Sequence, residues 1–262
     1  MEIKRYFRLW LLFTRLTTMV AFQSRFGAIV FLFGKLLRFL FFLLFIVVLV
    51  SKTQTLVGYS IWQIVFFFAT FNLIDTIPQL LWREVYRFRS YVVSGFFDYI
   101  ITKPISPLFR SLFGGSDILD IVMLIISFIF IFFSAAKLEI LTLMGIISFC
   151  ALVLNAMVIS LALHIFVLSI GILTTEIDNA IMLYRDLTQM GRLPIDVYAQ
   201  PLRGFLTFII PVGIMITFPA KAIMGLLSWQ MLIFSFAAGL TFFILSLFCW
   251  NFALKHYASV SS

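Results

Sequence analysis

Long apolar runs constrain this chain more than any other feature: they fall at about residues 27–50, 116–136, 140–175 and 228–254. About 20 apolar residues wound as a helix cross a hydrocarbon layer of about 30 Å. Inside lipid the backbone must satisfy its own hydrogen bonds, which a helix does within one segment. Two further runs, about 58–81 and 204–224, carry Asp75 and Pro78 in the first and Pro211, Pro219 and Lys221 in the second. The pattern predicts an all-α polytopic membrane protein with six transmembrane helices in one transmembrane domain over 1–262. Composition agrees, because 63% of the residues are hydrophobic and 11% charged, against about 45–50% and about 25% in soluble domains.

The net charge of +8 does not point to nucleic acid, because the basic residues flank apolar runs. The first 25 residues hold Lys4, Arg5, Arg8, Arg15 and Arg25, and the stretch 82–115 holds Arg83, Arg87, Arg89, Lys103 and Arg110. The loops after the first and third spans hold only Lys52 and Lys137. Positive charge stays on the cytoplasmic side, so both termini and the 82–115 loop are expected in the cytoplasm of a bacterial or archaeal cell, the chain lying in its inner membrane. Arg15 interrupts the first apolar stretch and no small-residue cleavage site follows, so the first span is expected to serve as its own insertion signal. Cys150 and Cys249 lie apart in apolar runs, which argues against a disulfide or a zinc site. No repeat of the first half is visible in the second, so inverted-repeat transporters gain no support.

Residues 2–24 read as an amphipathic helix with Lys4, Arg8 and Arg15 on one stripe. It either leads straight into the first span or lies flat on the cytoplasmic leaflet as an elbow. Within the spans, Lys35 and Arg38 are one turn apart and can snorkel to the surface. Asp75 either reaches interfacial water or pairs with Lys35, and is expected to matter more than Asp117 or Asp120. The 36-residue run at 140–175 would reach ~54 Å as a helix, so it must break or leave the membrane, near His164 or Ser169-Ile170-Gly171. Lys137 and Glu139 predict a tight turn. Residues 176–203 mix Glu176, Asp178, Arg185, Asp186, Arg192, Asp196 and Arg203 with apolar residues.

Chemistry is scarce. Asp117 and Asp120, three apart, would share a helix face and could hold Mg²⁺ for a lipid diphosphate, or simply favour a helix N-terminus. His164 stands alone in an apolar run, as a core histidine does. No phosphate loop, metal-spaced His-Glu pair or nucleophile elbow is present.

The 82–115 loop has a distinctive centre, from Ser94 and Gly95 through Phe96, Phe97, Asp98, Ile100, Ile101 and Lys103 to Pro104. Its apolar residues recur at helical spacing between a glycine and a proline, and predict a short amphipathic helix that needs a partner or a membrane surface. Here the chain resembles the ABC-2 type permeases, the membrane subunits of ATP-binding-cassette exporters. The resemblance rests on Gly95, Asp98, Ile101, Lys103 and Pro104, and on Leu193-Pro194, Tyr198, Leu202-Arg203, Ile209-Ile210-Pro211 and Phe218-Pro219-Ala220. It implies that residues 1–25 form a connecting helix and that 82–115 carries a coupling helix docking on a separate ATPase. It further implies that two permeases, identical or related, pair with two ATPases that hold the ATP and Mg. This chain would bind no cofactor or metal. The resemblance also implies that 204–224 is a re-entrant hairpin opening outside, with a fifth span near 172–192. The charges favour the alternative, with 176–203 cytoplasmic and 204–224 as the fifth span. Competing functions are a membrane enzyme for a lipid diphosphate and a non-transporting membrane scaffold.

Overall fold

The computed structural model describes residues 2–138, 141–174 and 177–257, and all its long elements are helices. Helix α1 (Glu2–Gln23) gives way to α2 (Arg25–Thr53) at Ser24, whose hydroxyl accepts from the Gly27 amide and starts a new helix. A tight turn with a Leu56–Tyr59 bridge leads into α3 (Ile61–Leu81), opened by a reciprocal Ser60–Gln63 cap. Short pieces follow: a 3-10 turn at Arg83–Arg87, α4 (Phe88–Val93), α5 (Phe96–Ile101) and α6 (Pro107–Leu112). Next come α7 (Asp120–Leu138), α8 (Leu143–Thr174) and α9 (Ile177–Gln189). Two 3-10 turns then lead to α10 (Leu202–Gly204), which continues as a π-helix to Ile209. A second π-helix, Gly213–Thr217, runs into α11 (Phe218–Ile223), and α12 (Trp229–Lys255) follows.

Five helices, α2, α3, α7, α8 and α12, are long and apolar enough to cross a bilayer. The chain is thus an all-α, multi-pass membrane protein. Helix α3 is central: 67% of its apolar window is buried, against 17% in α2 and in α12, which turn most of their surface outward. Phe66, Phe67, Phe68 and Phe71 of α3 fill the space against Phe39 and Ile46 of α2, Ile131 of α7 and Ile159 of α8. Helices α8 and α12 touch at backbone distance. A Cβ on Gly239 would stand 2.1 Å from Asn155 Oδ1, and Asn155 Nδ2 donates to the Ser235 carbonyl at 2.8 Å. Small residues and an interhelical amide bond are how helices adhere in lipid.

The run at 140–175 was expected to break or to leave the membrane, and helix α8 does not break. Its 32 residues are continuous through His164 and Gly171, a length of ~48 Å. The excess is absorbed beyond the bundle, where Ile165, Leu168 and Ile172 bury against Trp82, Phe88 and Phe97 of the 82–115 segment. Protein, not lipid, covers that end. The turn expected at Lys137 and Glu139, and the charge at Glu176, involve Glu139 and Glu176, which lie outside the described residues.

Both described chain ends sit at the end of the bundle formed by the 82–115 segment. Arg5 donates to the Pro104 carbonyl at 2.8 Å, and Tyr257 packs on Phe97. Helix α9 runs from this end of the bundle toward the other. It starts beside Arg89, which pairs with Asp178 at 3.0 Å. Midway, Tyr184 reaches the Ser160 hydroxyl and the His164 ring of α8. Beyond its end, Asp196 meets Tyr59 in the turn between α2 and α3, at the opposite end of the bundle. Residues Leu202–Ile209 and Gly213–Ile223 then bend back on each other by 79°.

Candidate functional site

The segment 82–115 is a folded platform. Gly95 takes φ +71°, a left-handed turn that glycine adopts without strain, and this starts α5 at an angle to α4. Helix α5 then splits its residues between two surfaces. Phe97 and Ile100 are buried, with the Phe97 ring edge-on to Phe88 at 5.0 Å and to Tyr257 at 5.1 Å. Phe96, Tyr99 and Ile101 stay exposed, and the Lys103 ammonium lies 3.8 Å from the Tyr99 ring centre. The apolar residues of this segment therefore do not all await a partner: Phe97 is already packed on α4 and the end of α12. Asp98 faces Tyr257, and burial together with this carboxylate pushes the phenol up to about 12.

One carboxylate ties the platform together. Glu84 is 1% exposed and accepts from Arg110 at 2.7 Å, from Arg87 at 3.4 Å and from the Tyr91 hydroxyl. Helix α1 is strapped along the same platform, with Trp10 Nε1 donating to Ser116 at 3.1 Å and the Ser106 amide donating to Tyr6 at 3.2 Å. It is a helix over nearly the expected residues.

The charges in the spans pair differently from expectation. Lys35 pairs with Asp120, not with Asp75. Helix α7 begins at Asp120, opposite Lys35 on α2, whereas Asp75 accepts from Gln79 one turn along α3 at 2.9 Å. Asp117 precedes the helix and pairs with Arg83 at 3.5 Å. The two aspartates therefore do not share a helix face, and each faces its own cation. Asp120 is 2% exposed. Arg38 is exposed, and Arg192 lies over the Phe42 ring at 5.1 Å. His164 is buried, bonded to its own helix through the Ser160 carbonyl and stacked edge-on to Trp82, as a core histidine is.

At the opposite end, Asp196 gathers three donors: Tyr59 at 2.8 Å, Arg203 at 2.5 Å and Lys221 at 2.6 Å. Arg203 stands on the first arm of the bent pair and Lys221 on the second, so one carboxylate clasps both arms at their base. Burial works to raise the Asp196 carboxyl, but the bonds from Lys221 and Tyr59 and the charges of Lys221 and Arg203 overcome it and hold it below the usual carboxylate range. Of the turn residues singled out in the sequence, Pro194 is buried, Tyr198 donates to the Met190 carbonyl at 2.8 Å, and Pro211 and Pro219 lie at the tip and on the second arm. Asp196 was not singled out, although it is the nearest carboxylate in sequence to Arg203 and Lys221.

Among the described residues no group of three His, Cys, Asp or Glu side chains is placed to hold a metal ion. No curated protein and no solved structure shows significant similarity to the chain. The sequence profile of the ABC-2 family transporter proteins matches residues 36–261, from the first long span to the end of the last helix and beyond. A match over most of the length, on a bundle with five long apolar helices, places the chain in the ABC-2 transporter family, whose permeases are transport subunits and not enzymes.

Proposed function

We propose that this chain is the permease subunit of an ATP-driven exporter that moves a hydrophobic or amphiphilic substrate out of a bacterial or archaeal cell. Cytoplasmic ABC ATPase subunits supply ATP and Mg²⁺, and a second identical or related permease completes the membrane unit. The observation that carries this reading is the platform: α5 buries Phe97 and Ile100 in the protein and leaves Phe96, Tyr99 and Ile101 exposed beside Lys103 and Pro104. A rigidly backed apolar patch with a basic rim suits a protein partner. Movement of that partner would reach the spans through the packed ends of α8 and α12. With the basic platform in the cytoplasm, α1 lies as an elbow along the inner leaflet. The bent pair 202–223 then enters and leaves from the outer side as a re-entrant hairpin.

Tyr99→Glu together with Phe96→Asp is expected to abolish co-purification of the ATPase in mild detergent while leaving the amount of inserted permease unchanged. Retention of the ATPase by this variant would remove the platform from the mechanism. The enzyme reading gains nothing from the geometry, since Asp117 and Asp120 are each engaged by a cation.

A further inference from the structure

A cavity of about 370 Å³ opens beside α2 at the platform end of the spans, lined by Lys35 and Arg38 of α2, Gln79 of α3, Arg83, Tyr86 and Arg185 of α9. Four of these side chains are cations and no carboxylate lines the space. Lys35 and Arg83 are balanced from behind by Asp120 and Asp117. Arg38 and Arg185 are exposed and make no ion pair among the described residues. Asp75 lies within electrostatic reach of Arg38, Arg185 and Arg192. The neighbourhood thus holds five cations against three carboxylates.

Depth decides what can balance that surplus. Helix α7 starts at Asp120 and its 19 residues measure ~28 Å, about one hydrocarbon thickness. Lys35 is level with Asp120, and Arg38 is one turn deeper, where an unpaired cation is costly. The cavity therefore sits where lipid headgroup meets hydrocarbon, and it opens beside the exposed apolar residues Phe26, Val30 and Phe33 of α2. Guanidinium forks bind phosphate oxygens in pairs, and basic pockets between helices on the cytoplasmic side hold phosphorylated heads.

We propose that this cavity binds the phosphate-bearing, doubly charged head of an amphiphile, whose apolar tail lies along α2. Binding requires only the cavity and its four cations. The step from bound ligand to exported substrate rests on the exporter reading above.

The test uses the full chain purified in a nonionic detergent, without ATPase, so that failure to find a coupled ATPase leaves it unaffected. Phosphatidic acid, phosphatidylcholine and inorganic phosphate are titrated separately, and binding is read by native mass spectrometry. Phosphatidic acid should bind at one per chain, and at least about tenfold more tightly than phosphatidylcholine, the equivalent of one charge-assisted contact. Arg38→Gln with Arg185→Gln should remove that preference, whereas Lys255→Gln should keep it. Since both arginines are exposed, the double variant should melt with the parent; if it does not, each single variant is read instead and should lose part of the preference. Equal binding of phosphatidylcholine, or an unchanged preference in the arginine variants, would overturn the proposal. Inorganic phosphate binding as tightly as phosphatidic acid would also overturn it, leaving a site for a free anion.

Discussion

The two ends of the bundle are held by different physics. At the platform end, Trp82, Val85, Phe88, Val92, Phe97 and Ile100 are buried against α8, α9 and α12, and Glu84 is sealed inside with Arg110. At the hairpin end, the base of the bent pair is clasped by Asp196, whose partners Tyr59, Arg203 and Lys221 are side chains from three segments. Arg203 is 43% exposed. An apolar core is cooperative and stiff, whereas a clasp of ion pairs that water reaches through Arg203 can be released by protonation of its carboxylate. In the proposed exporter, the first end would transmit a push from a partner and the second would be the part that opens.

That contrast can be broken at three strengths. Glu84→Ala should have the largest effect: it strands the Arg110 guanidinium, and breaking a buried pair costs about 3–5 kcal/mol. Phe97→Ala, which empties the contact with Phe88, Trp250 and Tyr257, should cost a similar about 3–5 kcal/mol. Both should lower the melting temperature of the purified chain and expose the platform to protease. An unchanged melt would mean that the platform is not held as described.

Asp196→Asn should cost less, about 1–3 kcal/mol for the weakened donors, and should loosen the hairpin while leaving the platform intact. Its pH dependence has a definite sign. The folded carboxyl lies below its ordinary value, so its stabilisation is fully present above the unfolded value of about 3.9. It is lost as pH falls through the lower folded value. Protease cleavage within 199–227 should therefore rise on acidification below about pH 4 in the parent, and much less in Asp196→Asn. A parallel rise in both would disconnect Asp196 from the hairpin.

The smallest effect on stability belongs to the exposed patch. Phe96→Ala and Tyr99→Ala should each change it by under about 0.5 kcal/mol, yet weaken ATPase binding. Equal destabilisation by Phe96→Ala and Phe97→Ala would erase the division of α5 into an inner and an outer face.

The five long apolar helices were legible because lipid-facing residues need only be apolar, and α1 because its charges fall on one stripe. Of the two expectations for 140–175, a break or an exit from the membrane, the break is absent: hydropathy reads Ile165, Leu168 and Ile172 as membrane residues when they are the core beneath the platform. The resemblance implied a helix near 172–192, but hydropathy obscured it, because Asp178, Arg185 and Asp186 are exposed while Ile181 and Thr188 are buried and Tyr184 meets α8. The sequence offered Asp75 as a partner for Lys35 and missed Asp120, because the pairing depends on where α7 starts relative to α2. Asp196 stayed invisible as a clasp because its donors come from positions 59, 203 and 221, which only the folded chain brings together.

In the proposed exporter, platform and hairpin lie on opposite faces of the membrane. The most direct measurement places single cysteines at Gln200 and at Tyr99 in a chain whose Cys150 and Cys249 are replaced by serine, and exposes intact cells to an impermeant thiol reagent. Gln200→Cys should be labelled at once, and Tyr99→Cys only after the cells are broken. Labelling of both in intact cells, of neither, or of Tyr99→Cys alone, in protein that still inserts, would contradict that placement.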